Sequence, residues 1–207
     1  MLSVWRGLLV CGGLAVSGCA MKPADSFTLE VDLPANYRLR GDATYVPATG
    51  ETCTLRWRPG DLPEIKIFDA LEKPAANRVS FELPLTERVN GCPLVLRYMT
   101  FDVYAKSAEH LADGGGDFAF VGVHDWVEPN MSRMPGPGTL EVPGTCQWLL
   151  RPAGPTQTTD NVFQCNLVDA KGLPPTTATG GRVQRNELNG KTVRVVFGES
   201  DEERTYL

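Results

Sequence analysis

The residues of this chain that could do chemistry are, first of all, its six cysteines: Cys11, Cys19, Cys53, Cys92, Cys146 and Cys165. The first two lie in or directly after an apolar N-terminal segment, and the other four are spread over the rest of the chain. Four cysteines can hold zinc, but zinc sites usually take closely spaced pairs, and no Cys-x-x-Cys occurs here. We therefore predict no metal site and expect the last four cysteines to form disulfides.

Catalytic groups are harder to find. His110 and His124 are the only histidines, and no serine lies in a Gly-x-Ser-x-Gly sequence that would suggest a nucleophile for a catalytic triad. A catalytic zinc takes about three protein ligands, and no His-Glu-x-x-His sequence is present. A pair of carboxylates for glycoside cleavage stays open, because any two of the 25 acidic residues could meet across a cleft. We predict a binding protein with no catalytic residue and no cofactor.

Residues 1–18 have the layout of an export signal. Arg6 supplies a positive charge, residues 7–16 form an apolar core, and two small residues, Ser17 and Gly18, follow. The apolar core is shorter than the roughly 20 residues that cross a bilayer, and no later apolar run approaches that length. Because Arg6 is the only charged residue before Cys19, the mature chain has a formal charge of −6. This acidic balance argues against binding to nucleic acid.

Val16-Ser17-Gly18-Cys19 resembles the lipobox of bacterial lipoproteins. The resemblance implies cleavage before Cys19, lipidation of its sulfur and acylation of the new N-terminus, and several acyl chains give stable anchoring. Residues 19–26 would then be the lipidated N-terminus and tether, and the lipid would be the only contact with the membrane. Since Ala20 stands where Asp would suggest retention in the inner membrane, the resemblance to enterobacterial lipoproteins implies the outer membrane, facing the periplasm. A plain export signal is the alternative.

Export to an oxidising compartment favours two disulfides. Three pairings are possible, and we favour Cys53–Cys92 with Cys146–Cys165. Cys146 shares one parity with Trp148 and Leu150, and Cys165 shares one parity with its own apolar neighbours. Both sets would lie on one face of adjacent strands, so the pattern supports the second pair best.

The rest of the chain is dominated by strand and turn patterns. Apolar and polar residues alternate in short segments, and 21 glycines and 16 prolines separate them. The clearest predicted strands cover residues 27–31, 52–58, 64–68, 78–83, 94–106, 118–124 and 193–197. Helix evidence is confined to one or two turns over residues 107–113. We predict a single domain over residues 27–207, mostly β: an antiparallel β-sandwich of about ten short strands.

Two local patterns predict details of the sandwich, a central strand and a hairpin. The segment 94–106 is apolar on both parities, which is typical of a central strand covered on both faces for part of its length. Asn189-Gly190 precedes the last strand and is a strong hairpin signal.

Residues 125–144 interrupt the strand pattern with several prolines and glycines. Trp and Arg are favoured at interface hot spots, and Met suits adaptable contact surfaces. Two interpretations of the segment stay open. The first is a crossover between sheets whose Trp and Met cap the core, and the second is a partner-binding loop that contains Trp126, Met131, Arg133 and Met134.

Several cysteine-containing segments resemble lipoproteins that act as immunity proteins against type VI secretion lipase effectors. The segments are Phe81-Glu82-Leu83-Pro84-Leu85, the run from Gly91-Cys92-Pro93 to Tyr98, Cys146-Gln147-Trp148 and Cys165-Asn166-Leu167, with Cys53 upstream. The resemblance covers about residues 45–200. It implies protection of membrane phospholipids by non-covalent blockade of a secreted, toxic phospholipase, with no catalytic residue in the blocking protein.

Two other functions stay open. The first is an assembly lipoprotein that docks a secretion or envelope machine to the membrane, and the second is an enzyme or carbohydrate binder with an unrecognised site. The charge of −6 would favour encounter with a basic protein partner, which fits either protein-binding function.

Overall fold

A computed structural model describes residues 25–51, 53, 64–105, 115–126, 138–153, 158–167 and 180–200. Its eleven strands are β1 (Ser26–Leu33), β2 (Tyr37–Pro47), β3 (Glu64–Ala70), β4 (Asn77–Pro84), β5 (Thr86–Val89), β6 (Cys92–Ala105), β7 (Gly115–His124), β8 (Thr139–Ala153), β9 (Thr158–Leu167), β10 (Gly180–Gln184) and β11 (Thr192–Glu199). One 3₁₀ turn covers Arg185–Glu187. Within these ranges no helix is long and apolar enough to cross a membrane. The predicted strand over 52–58, apart from Cys53, and the helix over 107–113 lie outside the described residues, as does Cys19.

The predicted β-sandwich is confirmed. The first sheet has the order β4-β1-β11-β8-β9, and the second has the order β10-β7-β6-β2-β3, with β5 also paired to β6. Most of the described pairings are antiparallel, as expected, but β11 lies parallel to both β1 and β8, and β10 lies parallel to β7. The last strand is therefore inserted between two earlier strands of the first sheet that point the same way.

Alternating side chains of both sheets form the core. Phe27, Leu29 and Val31 of β1 are fully buried, as expected from their spacing of two residues. They pack against inward residues of the second sheet in one continuous cluster. Phe101 of β6 lies at the centre, with ring centroids 6.0 Å from Phe68 and 6.4 Å from Phe197. The alternation seen in the sequence is thus the alternation between core and solvent.

A β-bulge explains why β6 is apolar on both parities. Thr44 of β2 is opposite Tyr98, whereas the next residue, Tyr45, is opposite Leu96, so Arg97 is an extra residue. The buried residues of β6 are even-numbered up to Leu96, before the bulge, and odd-numbered from Met99 onward, after it. The position of β6 at the centre of its sheet is confirmed, but the expected cover on both faces is wrong for Tyr98, which is 37% exposed.

The predicted hairpin at Asn189-Gly190 is wrong. A turn does form, and Gly190 has a φ of +70°, which glycine adopts without strain. However, β10 pairs with β7 in the second sheet and β11 pairs with β1 and β8 in the first. The turn therefore carries the chain from one sheet to the other, and the fully buried Leu188 holds it against the core.

The favoured disulfide pairing is confirmed. Cys146 and Cys165 are directly opposite each other in the β8–β9 ladder, and both are fully buried. Cys53 is bonded to Cys92 at the start of β6. The predicted irregular segment 125–144 ends earlier than expected, because β8 begins at Thr139. Pro143 is opposite Val196 in the β8–β11 ladder, but the described pairing with β9 begins only at the next residue, so one side of Pro143 is unpaired and tolerates the missing N–H.

The outer face of the first sheet, called the charged face here, pairs its charges across the strands. The Arg78 guanidinium of β4 contacts the Asp32 carboxylate through two hydrogen bonds, at 2.5 and 2.8 Å. Arg194 of β11 donates to Glu30 Oε2 at 2.8 Å and to Glu141 Oε1 at 3.0 Å. These contacts join β4, β1, β11 and β8 in one cross-strand network.

The Asp32→Asn variant tests this network. The hydrogen bond from Arg78 holds the pKa of Asp32 below its ordinary value, so the folded state favours the carboxylate. The corresponding stability is present at neutral pH and is lost as the pH falls through the folded-state pKa. We expect Asp32→Asn to be less stable than the wild type at pH 7 and to lose less stability between about pH 5 and pH 3.

Urea unfolding midpoints measured across this pH range check the expectation. Glu51→Gln, at an exposed position outside the strands, is the matched control and should follow the wild-type profile. A wild-type profile for Asp32→Asn would show that the pair does not contribute to stability.

Candidate functional site

The outer face of the second sheet, called the aromatic face here, differs from the charged face. Five large apolar side chains are exposed among the described residues, and four of them, Ile67, Leu71, Tyr98 and Phe118, belong to this face. The fifth, Trp126, follows β7 by two residues and is 64% exposed. The four form two groups on this face, Tyr98 with Phe118 and Ile67 with Leu71. Exposed apolar surface that gathers on one face is a candidate contact surface.

Cross-strand register places polar residues beside these rings. Phe118 of β7 is opposite Asp102 of β6, and Phe120 is opposite Thr100. Thr100 in turn is opposite Asp42 of β2 and donates a hydrogen bond to its carboxylate. The face therefore combines an aromatic strand with a polar strand, as protein interfaces commonly do.

The aromatic groove is a depression of about 340 Å³ over β6 and β7. It is lined by Arg97, Tyr98, Thr100, Phe118, Phe120, Gly122 and His124. The β-bulge places Arg97 directly beside Tyr98, and both side chains are exposed. Gly122 leaves room for the imidazole, because a Cβ atom there would lie 2.7 Å from His124 Nε2.

A second depression of similar volume lies over β2 and β3, at the other side of the aromatic face. Its lining residues are Arg38, Leu39, Arg40, Ile67, Asp69, Ala70, Leu71 and Tyr104. The Arg38 guanidinium lies 4.4 Å from the centre of the Tyr104 ring, a cation–π distance. Both depressions thus present arginine next to apolar surface.

Positive charge gathers at the His124 end of the groove. Burial lowers the pKa of His124, and the nearby charges of Arg97, Arg182 and Arg185 lower it further. Asp125 is the acidic residue of this region, and it accepts a hydrogen bond from Arg185 Nε at 2.8 Å, which lowers the pKa of Asp125. His124 and Asp125 are adjacent in sequence, but the carboxylate is held by arginine.

Nothing in this arrangement resembles a metal centre. Among the described residues, no three histidine, cysteine, aspartate or glutamate side chains are placed to hold a metal ion. The predicted absence of a metal site and of a catalytic residue in the whole chain remains a prediction.

Of the predicted partner-binding residues, Trp126 is exposed at the edge of the aromatic face. Met131, Arg133 and Met134 lie outside the described residues. Sequence reasoning missed Tyr98, Phe118 and Phe120. A signal was present in β7. Ala119, Val121 and Val123 share one parity, and Phe118 and Phe120 share the other, so both faces of this strand are apolar.

Comparison with models of known protein families, with characterised proteins and with solved structures finds no significant match to this chain. The candidate site is therefore chosen from the surface of the molecule itself. On the charged face, Arg78 and Arg194 are bound to acidic neighbours of the same sheet. The aromatic face leaves rings in contact with water, and it is the better candidate for a binding site.

Proposed function

We propose that this protein is a membrane-tethered binding protein of the periplasm that holds a protein partner against the aromatic face. We further propose that the partner is a toxic phospholipase of a type VI secretion system, which this immunity protein neutralises by non-covalent blockade. The observation that carries the binding function is that four of the five exposed large apolar side chains, Ile67, Leu71, Tyr98 and Phe118, lie on one sheet face. The identity of the partner comes from the resemblance described above.

The size of the aromatic face suits a protein partner. Five strands spaced about 4.8 Å apart give a width of about 20 Å, and six or seven residues of strand give a similar length. The resulting area, on the order of 400 Å², is about half of what one partner buries in a standard interface. The exposed Trp126 would supply part of the remainder.

Blockade at the membrane is physically reasonable for a lipase inhibitor. A phospholipase acts on lipid at the membrane surface, so an inhibitor anchored there meets the enzyme where it would do damage. Tethering also raises the local concentration of the inhibitor at that surface. No chemistry is required of the inhibitor, which is consistent with a binding face rich in aromatic residues.

Capture and inhibition test the proposal together. The full-length lipoprotein in detergent is used as bait against the secreted and periplasmic proteins of its own strain. We expect one lipase to be retained and to lose its activity at one-to-one stoichiometry. Retention of envelope-machine subunits in place of a hydrolase would favour the assembly function and overturn the immunity function.

Alanine variants test the location of the interface. We expect Phe118→Ala and Trp126→Ala each to weaken partner binding by more than tenfold, about 1.4 kcal/mol, because buried aromatic anchors dominate interface energetics. Calorimetric titration measures the affinity, and thermal melting shows that the fold is kept, since both side chains are exposed.

Val196→Ala is the matched control. Val196 is a half-buried apolar residue at an outward position of the charged face. Its truncation should leave affinity unchanged. Equal losses in all three variants, or no loss in any of them, would remove the aromatic face from consideration.

A further inference from the structure

We propose that the aromatic groove receives an acidic anchor of the partner, an aspartate or glutamate carboxylate that is flanked by an apolar side chain. Arg97 would bind the carboxylate, and Tyr98, Phe118 and Phe120 would cover the apolar neighbour. This inference rests on the proposed function in one respect, namely that the occupant is a protein.

The volume of the groove limits the occupant. At about 340 Å³ it lies at the lower end of the range for ligand sites, which suits one or two side chains and not a folded segment. Its floor is closed by the strands β6 and β7, which are hydrogen-bonded neighbours from Tyr98 opposite Gly122 onward. Insertion of a short anchor from a partner loop fits this shape.

Charge in the groove selects the sign of the anchor. Among the described residues, no hydrogen-bond or ion-pair partner accompanies Arg97, which the β-bulge holds at the surface. Arg182 of β10 is opposite Gly122, next to the groove. Asp125 is bound to Arg185, and the charge of Arg97 also lowers the pKa of Asp125. An incoming carboxylate therefore meets the Arg97 guanidinium, whose fork matches its geometry.

Two acids lie on the polar side of the groove, Asp42 and Asp102. The Asp42 carboxylate is already bound, because it accepts hydrogen bonds from Thr44 and Thr100. Asp102 is opposite Phe118 at the far end of the groove, four residues along β6 from Tyr98, which is about 13 Å in an extended strand. The rings between the two ends exclude water from a docked anchor, and ion pairs strengthen where water is excluded. One end of the groove thus carries Arg97, and Phe118 and Phe120 line its β7 side.

The groove's preference for an acidic anchor differs from the long-range preference of the whole chain for a basic partner. The mature chain is acidic, with a formal charge of −6, and favours approach by a basic protein. The groove then selects an acidic residue on that protein. Such a combination gives specificity, because a basic surface without the acidic anchor would leave Arg97 desolvated and unpaired.

Peptide binding tests the inference without the natural partner. The probe is the tetrapeptide acetyl-Gly-Phe-Glu-Gly-amide, compared with the same peptide carrying Gln or Lys in place of Glu. Full-length protein in phosphatidylcholine nanodiscs is titrated, and backbone amide shifts of Phe120 and Gly122 report binding in the groove. We expect the Glu peptide to bind at least fivefold more tightly than the Gln peptide and the Lys peptide to bind most weakly.

Charge variants complete the design. Arg97→Gln should abolish the preference for Glu over Gln, and Arg97→Lys should keep part of it, since it retains the charge without the fork. Lys73→Gln, at an exposed position in the β3–β4 connection, is the control and should leave the preference intact. Thermal melting of each variant establishes that it is folded.

Three results would overturn the inference: equal binding of all three peptides, shifts confined to another surface, or tighter binding of a chitotriose probe in the same groove. The outcome is separate from that of the lipase capture. Glu-selective binding without a captured lipase would leave the groove assignment standing and remove the immunity function. Lipase inhibition without Glu selectivity would support the immunity function and remove the groove assignment.

Discussion

Removal of the Cys146–Cys165 disulfide, by replacing both residues with alanine, is expected to lower the free energy of unfolding by about 3–5 kcal/mol. The bond joins residues separated by 19 positions, and closing a loop of about 20 residues contributes about 3 kcal/mol in the chain-entropy model. Both sulfurs are also fully buried, so the variant loses packing in the core. Alanine avoids burying a hydroxyl without a partner.

The position of the bond makes the effect large. β9 is the edge strand of the first sheet, and Cys165 N donates a hydrogen bond to Asp117 Oδ2 of β7 at 2.7 Å. Trp148 and Phe163 pack beside the bond with ring centroids 5.0 Å apart. Loss of the bond therefore also weakens a contact between the two sheets.

Urea unfolding followed by tryptophan fluorescence measures the loss, because Trp148 reports directly on this region. Trp5, Trp57 and the exposed Trp126 should be replaced by phenylalanine in both proteins, so that Trp148 is the remaining tryptophan. A destabilisation below about 1 kcal/mol would mean that the β8–β9 register is held without the bond.

Gly41→Ala is expected to destabilise the protein by about 2–4 kcal/mol, since overpacking a core costs 1–3 kcal/mol or more. A Cβ atom at this position would lie 2.2 Å from the Phe68 ring and 2.8 Å from the Thr100 carbonyl oxygen. The ring is held by Phe81 and Phe101. The carbonyl belongs to the backbone of β6 beside β2, so it cannot retreat without disturbing their pairing.

A control and a rescue make this expectation specific. Gly138→Ala adds a methyl group where no atom lies within 4 Å, and its stability should stay within about 0.5 kcal/mol of the wild type. Phe68→Leu should recover part of the lost stability when combined with Gly41→Ala, because the smaller leucine side chain leaves room for the added Cβ atom. Strictly additive losses in the double variant would contradict the proposed clash.

The strand content and the disulfide pairing were predictable because both depend on local spacing. Alternation of apolar and polar residues located seven strands, and six of them are confirmed within the described residues. The shared parity of Cys146 with Trp148, and of Cys165 with Phe163, predicted one common face, and the ladder places the two cysteines opposite each other. A period of two residues is a property of any strand, whatever its neighbours are.

The candidate site depended on contacts between distant segments. The bulge at Arg97 arises from the pairing of β6 with β2, two strands about 50 residues apart, and it reverses the face on which later residues point. Read without the bulge, Tyr98 shares a parity with Leu96 and is expected to be covered. With the bulge, it faces water beside Arg97.

The sequence alone determined that this is a β-sandwich and favoured the Cys146–Cys165 disulfide, because strand periodicity and cysteine parity are local; Cys53–Cys92 then followed as the remaining pair. Only the tertiary structure decided which apolar residues face water and what the Asn189-Gly190 turn connects. β7 could have buried either Phe118 and Phe120 or Ala119 and its valine neighbours. The second set faces a core already filled by large side chains, so the phenylalanines are left on the surface.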